Sequence, residues 1–515
     1  RRAHADPPLT QTAARVASVL LPALVERELH EVARTHHRAH PDGAPVERIV
    51  GWLGALIPRV MYPGSLASAA RAAGAEPLWT GRPRVYAAST MRQAADQLDA
   101  EGAWSHVAHA VWKQVQGAVT KVDQEVIAYT DMFDQPYYTK KLAHAAPIGR
   151  LGNRLLACTY FGLTTIALPE GPTLFAHLSW HKPGAPLRDA LEDLFDDEAR
   201  LAWWHEHVRL HIVDRGANGD PVLEWMWAWE VPYLTIGRKG AELWRLHART
   251  LRNEHALPIV VRPDVRLGGD ADDGPWELIV PADPDDPDAT RGIRFRSAVA
   301  FTETELLALN VLYKSRWPSM ENGLKALQSQ GFGRNRTRRL ELTVSRGTDG
   351  ELARLREREE ARVTKVQELG ALPVSGKTFA RLVAAGQKVQ QVRAEQAAVA
   401  EAAPLKHARV EGGTERLGKW LHLLVHNAMA LALATSPVEE VRVMEPTTVS
   451  ELLLGRSATT CVEAGWLTMW VDALDAANDR RRQAALVDVF NGLALRCRGC
   501  VVRIHLRERA EGKTA

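Results

Sequence analysis

Apolar residues recur at helical spacing through the first quarter of the chain. Leu20, Leu21, Leu24, Val25, Leu29 and Val32 form one stripe and predict a single long helix over 10–37. Ile49, Val50, Leu53 and Ile57 predict a second helix over 45–60. Ser65 and Ser89 have the chemistry of N-caps for two more, the latter opening a helix that runs to Leu98. From 124 the period shortens. Val126 to Thr130 is an apolar run of strand length that closes on Asp131. Arg154 to Tyr160 and Leu163 to Ala167 read as further strands of an antiparallel meander. Helical spacing returns over 187–208, with Leu191, Leu194, Leu201 and Trp204 on the buried side. The strand that follows, Leu210 to Val213, closes on Asp214-Arg215-Gly216. A tryptophan-rich helix over 221–229 and a strand from Tyr233 to Ile236 come next, and the strand runs into Arg238-Lys239-Gly240.

The second half is patterned differently. Residues 241–305 read as an insertion, with strands at 276–280 and 292–295 separated by Asp-rich turns at 270–274 and 283–288. The first of these turns resembles a calcium loop but lacks its ligand spacing, so both are read as solvated turns. A helix follows over 313–327. On it Trp317, Leu324 and Leu327 are apolar, and Glu321 and Lys325 stand four apart on one face. Residues 332–348 are basic and irregular. Two charged helical stretches, 351–369 and 377–402, form a hairpin with coiled-coil character. A helix over 415–434 precedes a small unit of strand 465–471, helix 480–494 and strand 501–506. The division that results is a helical region at 1–120, an α/β core at 121–240, the insertion at 241–305, the glutamate helix at 306–345, the hairpin at 346–410 and a C-terminal unit at 411–515.

Composition narrows the function classes. The chain is 46% hydrophobic and 25% charged, ordinary for a soluble globular protein. It has neither a run of membrane-spanning length nor a recognisable signal peptide. It begins with Arg rather than Met, and further residues are expected before it. With 65 basic against 62 acidic residues the net charge is +3, so any nucleic-acid surface has to be local. Four cysteines point to a reducing compartment. Cys497 and Cys500 have metal-ligand spacing, with Cys461 and His505 as the available completing ligands, but no second cysteine pair supports a zinc site. His205, His207 and His211 are also metal-capable. Residues two apart on a helix do not share a face, which argues against that set.

The chemistry points elsewhere. Asp131 and Asp214 each close an apolar strand, and Glu321 sits on a helix among Tyr313, Arg316 and Lys325. Carboxylates delivered by strand ends and a helix suit a hard divalent cation, which takes oxygen ligands and keeps positions for phosphate and water. Asp134 competes with Asp131, but Pro136 places it in a turn. The motif Tyr313-x-x-Arg316-Trp317 followed by Glu321-Asn322, the strand ending Val213-Asp214-Arg215-Gly216, and Asp131 upstream resemble the DDE-type transposases of bacterial insertion sequences. The resemblance spans about residues 20–510 and is specific at these three places.

That resemblance implies an RNase H-like mixed sheet flanked by helices, with an all-α N-terminal region, a β-containing insertion, the long hairpin and a small C-terminal α/β unit. It implies metal-dependent cleavage and strand transfer at element ends, with Asp131, Asp214 and Glu321 as catalytic and metal-binding residues. The cofactor would be Mg²⁺ or Mn²⁺, as two ions. Tyr313, Arg316, Lys325, Arg238 and Lys239 would contact DNA phosphate. The partners would be element ends and target DNA, with no membrane and with a homodimer as the assembly to look for. The place would be the cytoplasm, at the nucleoid. The arginines at 82 and 84, between two short helices, are compatible with a helix-turn-helix reader of DNA and equally with a plain helical bundle.

The chain departs from the family pattern in three places. Met132-Phe133 stands where relatives often carry Gly-His. Glu321 follows Arg316 by five positions rather than four. Gln328 stands where a lysine is expected, leaving Lys325 in that role. Five residues apart on an α-helix, Arg316 and Glu321 are offset by more than a third of a turn. The expectation is therefore an Arg316 that aims past Glu321 at DNA. An RNase H-fold nuclease without joining activity, a non-catalytic DNA-binding protein and a protein-binding scaffold are the alternatives.

Overall fold

Three antiparallel strands and two parallel ones build the centre of the molecule. A computed structural model of the chain describes residues 12–508 apart from 62–84, 137–148, 243–248, 253–257, 264–274, 282–290, 333–338 and shorter stretches that include 215–218 and 238–240. Val126–Pro136 pairs antiparallel with Cys158–Ala167, which pairs antiparallel with Thr173–His181 at the sheet edge. On its other side Val126–Pro136 pairs parallel with Val208–Val213, and that strand pairs parallel with Tyr233–Ile236. The sheet then continues antiparallel through Arg291–Ser297, Trp276–Pro281, Pro258–Pro263 and Arg249–Arg252. The architecture is mixed α/β, a mixed sheet with helices on both faces.

Alternation along the strands explains the two faces. Tyr129, Leu163, Phe175, Leu210 and Ile212 point into one apolar cluster, with Leu309, Met320, Leu327 and the helix Gly413–Ala434. Ala128, Ile166, Leu174 and Val213 point into the other, with the helices Leu187–Phe195, Glu198–His207 and Asp220–Ala228. The second face is packed closely. A Cβ on Gly162 would lie 2.4 Å from the Ala190 Cβ, so only glycine lets that helix sit on the strand.

Helix Gly413–Ala434 runs through the interior between the sheet and the N-terminal helices Val46–Val60, Ala88–Ala100 and Ala103–Val119. Leu417, Trp420, Leu421, Leu424 and Val425 are buried along it. Its Asn427 acts as a substitute strand at the sheet edge. The Asn427 side chain accepts from the Phe175 backbone N–H at 2.8 Å and donates to the Phe175 carbonyl at 2.8 Å. Both backbone groups would otherwise be buried without partners.

Several elements differ from the sequence reading. The helix expected over 10–37 is a strand, Thr12–Arg15, followed by helices Val16–Leu24 and Glu26–Ala39 that break at Val25. Ser89 lies inside helix Ala88–Ala100 rather than capping it. Ser65 and the arginines at 82 and 84 fall outside the described residues. The strands expected at 154–160 and 163–167 are largely one strand, Cys158–Ala167, and Thr173–His181 completes the meander. The helix expected over 187–208 is two helices, broken at Asp197, whose side chain caps the second by accepting from the Ala199 and Arg200 backbone N–H. The strands read as an insertion extend the central sheet. Residues 339–344, read as irregular, pair with Lys406–Glu411 at the base of the hairpin formed by Gly347–Gly370 and Gly376–Glu401.

The C-terminal unit recruits the N-terminal strand. Thr12–Arg15 pairs with Ser457–Glu463, and Trp466–Asp472, Cys500–Arg507 and Arg496–Cys497 follow across that sheet. Cys497 and Cys500 face each other across a tight turn. Cys461 lies two strands away from Cys500 and pairs with Thr468, so the suggested zinc set does not assemble. Among the described residues no helix is long and apolar enough to cross a membrane.

Candidate functional site

Strand register brings the two aspartates together. Thr130 is aligned with Val213 in the parallel pair, so Asp131 and Asp214 are neighbours at the next position along the two strands. The register is held from behind by a buried polar chain. The Thr130 hydroxyl lies 2.8 Å from the Thr164 hydroxyl and 2.7 Å from His211 Nε2. Burial pushes the His211 imidazole down to about 3, so it stays neutral in this chain. Asp131 accepts from the Met132 backbone N–H at 2.8 Å. The Asp131 strand runs on through residue 134 to Pro136 rather than turning there, which corrects the sequence argument against Asp134.

The glutamate arrives on a helix that changes type. Leu309–Lys314 is α-helical, Trp317–Asn322 is a π-helix, and Gly323–Ser329 is α-helical again. Pro318 has no N–H to donate, and in a regular α-helix any proline ring would clash with the carbonyl four residues back, so the sequence disfavours a regular α-turn here. The segment is pinned to the sheet at three points. The Ser315 hydroxyl is 2.8 Å from the Tyr129 hydroxyl. Met320 is buried, and its sulfur accepts from the Thr165 hydroxyl at 3.9 Å. At Gly323 a Cβ would sit 3.3 Å from the Phe175 ring, so the helix crosses the strand closely at that point.

All three carboxylates reach one guanidinium. Arg316 Nη1 is 2.7 Å from Asp131 Oδ2, and Arg316 Nη2 is 3.1 Å from Asp214 Oδ1 and 3.7 Å from Glu321 Oε1. Arg316 makes no bidentate pair with Glu321, as the spacing predicts, but it aims at Asp131 and Asp214 rather than past the carboxylates. Five residues apart on an α-helix lie about 140° from each other. In a π-helix the hydrogen bonds close from i to i+5, so residues five apart come closer to one face than in an α-helix. The extra residue between Arg316 and Glu321 is absorbed by the π-turn.

The electrostatics show a site short of positive charge. Burial and the neighbouring Asp214 charge raise the Asp131 carboxyl from its ordinary 3.8 to about 6, against the opposing pull of Arg316. Burial acts to lower the Arg316 pKa, but Asp131 and Asp214 outweigh it and hold it above the ordinary value. The Arg316 guanidinium also lies 5.9 Å from the Tyr313 ring centroid, and Phe295 fixes that ring edge-on at 5.4 Å. Lys325 is exposed on the following α-turn. Arg238 and Lys239 lie outside the described residues.

Three carboxylates form a hard oxygen donor set of the kind that suits Mg²⁺ or Mn²⁺. As arranged, with Arg316 among them, they form no ready-made cage. Among the described residues no group of three or more His, Cys, Asp or Glu side chains is placed to hold an ion. The histidines weighed in the sequence do not gather either. His205 bonds the Trp229 carbonyl at 3.0 Å, His207 lies tilted against the Trp203 ring, and His211 faces Thr130.

Sequence reasoning missed the supports behind the helix. Lys419 donates to the Phe332 carbonyl and lies 4.4 Å from the Phe332 ring centroid. Gln330 Oε1 is 3.3 Å from His422 Nε2. These contacts tie the end of the glutamate helix to Gly413–Ala434. The one signal available was an apolar helix with Lys419, His422, His426 and Asn427 on its buried positions. No protein-family model matches the chain, and no curated protein matches it.

Two predictions follow from this geometry. In the folded chain Asp131 keeps a proton up to about pH 6 that the unfolded chain releases near 3.8. Its contribution to stability is therefore greatest below pH 3.8 and is lost as pH rises through 6. Asp131→Asn should raise the melting temperature at pH 7.5, in chelator, by roughly 1–4 °C, and the gain should vanish near pH 4. An Asn variant that melts lower at pH 7.5 would show the charge to be stabilising instead.

Deleting Pro318 should remove the α-turn breaker together with the extra residue, turn the π-segment into an α-turn and keep Arg316 and the glutamate on one face. The variant should melt within about 2 °C of the parent. Deleting Ala326, inside the α-helical turn, should swing the buried Leu327 out of the core and cost more. Equal losses from both deletions would contradict the account of the π-turn.

Proposed function

We propose that this chain is a metal-dependent DNA nucleotidyl-transfer enzyme of the DDE transposase type, cutting and joining DNA at the ends of an insertion sequence. The observation that carries the reading is the convergence of Asp131, Asp214 and Glu321 on one cation, from two adjacent parallel strands and a helix. A mixed sheet flanked by helices is the architecture an RNase H-like core requires, and it supports the reading. In this reading the partner is DNA and the place is the nucleoid.

Asp131, Asp214 and Glu321 would hold the metal. When bound, Mg²⁺ or Mn²⁺, expected as two ions, supplies charge for the phosphate oxygens and activates the attacking water or 3′-hydroxyl. The protein's own work is positioning. The buried Thr164–Thr130–His211 chain sets the register of the two aspartates. Tyr129, Met320 and Gly323 fix how deep the glutamate helix sits. Arg316 brings a planar donor fork suited to a phosphodiester, and exposed Lys325 adds charge outside the cluster.

The test uses a supercoiled plasmid carrying the DNA that flanks the gene. The protein should nick it and join the released ends only with Mg²⁺ or Mn²⁺. Asp214→Ala should reduce both by at least about 100-fold while mobility-shift binding stays within about threefold. Nicking without joined products would favour the nuclease alternative. Undiminished cleavage by the variant would remove Asp214 from the chemistry.

A further inference from the structure

The place a divalent cation would need is taken by a side chain. The two terminal nitrogens of Arg316 lie 2.7 Å from Asp131, 3.1 Å from Asp214 and 3.7 Å from Glu321, and its side chain is only 14% exposed. A charge buried to this degree needs compensation, and here each side supplies it to the other. The guanidinium fork is also the group best suited to a phosphodiester. A phosphodiester would thus compete with the carboxylates for this one side chain. Arg316 sits at the junction of an α-helix and a π-helix, where the backbone hydrogen-bond pattern changes, and the Tyr313 ring lies alongside it.

We propose that Arg316 gates the carboxylate site: in the DNA-free chain it serves as the internal counter-cation, and a DNA phosphate draws it off and frees the carboxylates for divalent metal. This rests on the proposed function and adds its regulation. Metal and DNA then bind with positive coupling, because each favours the state in which Arg316 has left the carboxylates. Linkage makes the coupling reciprocal, with DNA tightening metal binding by the same factor that metal tightens DNA binding. The protein would avoid carrying a loaded metal site while no DNA is present. The assignment also gives a role to the π-turn, which brings the arginine and the glutamate toward one face across five positions.

The experiment measures Mn²⁺ binding by electron paramagnetic resonance of the free ion, with no turnover involved. The full chain, Arg316→Gln and Asp214→Asn are each titrated alone and with a short duplex of flanking DNA, and binding to the duplex alone is subtracted. Without DNA, Arg316→Gln should bind Mn²⁺ about tenfold more tightly than the parent. DNA should tighten binding by the parent about tenfold and leave Arg316→Gln nearly unchanged. The parent comparison needs no variant, so it stands even if Arg316→Gln folds poorly. Unchanged or weaker Mn²⁺ binding by folded Arg316→Gln, or no effect of DNA on the parent, overturns the gate and leaves the metal site standing. Mn²⁺ binding that survives in Asp214→Asn, or is absent from every protein in both states, removes the metal site and the gate with it.

Discussion

Three carboxylates meeting one guanidinium in a half-buried place is the constraint the rest of the structure answers to. Like charges that close repel, and burial raises the cost of each. Asp131 carries the sign of that cost in its raised pKa. The cluster persists because its members are delivered by elements that have little freedom to separate. Two are fixed by the register of a parallel strand pair at the centre of the sheet. The third and the arginine share one face of a single helix. The surrounding polar contacts support this arrangement. Thr130 with His211 and Thr164 lies behind it, Ser315 with Tyr129 beside it, and Lys419 and Asn427 anchor the helix that packs over the sheet.

The strand-borne half of the site was legible in the sequence because it follows from local pattern. Val126–Thr130 and Leu210–Val213 are apolar runs of strand length followed by a carboxylate, and both fold as strands, the first running on past Asp131 to Pro136 and the second stopping before Asp214. The helix-borne half was legible only in part. Counting at 3.6 residues per turn separates Arg316 from Glu321, whereas the π-turn joins them. Pro318 was the visible cue, but proline also starts and kinks α-helices, so it does not by itself indicate a π-turn.

Other misses have similar causes. The apolar stripe over 16–32 continues in phase across the break at Val25, so periodicity alone merges two helices. The strand Thr12–Arg15 is stabilised by pairing with Ser457–Glu463, more than four hundred residues away, which no local signal reports. Residues 339–344 are likewise ordered by a partner beyond the hairpin. Strands 276–281 and 291–297 were found as strands, but their joining to Tyr233–Ile236 is a long-range event. The buried polar residues of Gly413–Ala434 read as an ordinary helix face until the backbone groups they satisfy are known.

The central claim is that Asp131, Asp214, Glu321 and Arg316 form one cation-seeking cluster, in which an internal cation and an external one are alternatives. It is tested most directly by crystals of the protein bound to DNA and soaked in Mn²⁺, using anomalous scattering to locate the ion. The account predicts density bounded by the three carboxylates, with the Arg316 guanidinium moved onto a DNA phosphate. Mn²⁺ found elsewhere, with Arg316 still on Asp131 and Asp214, would contradict it.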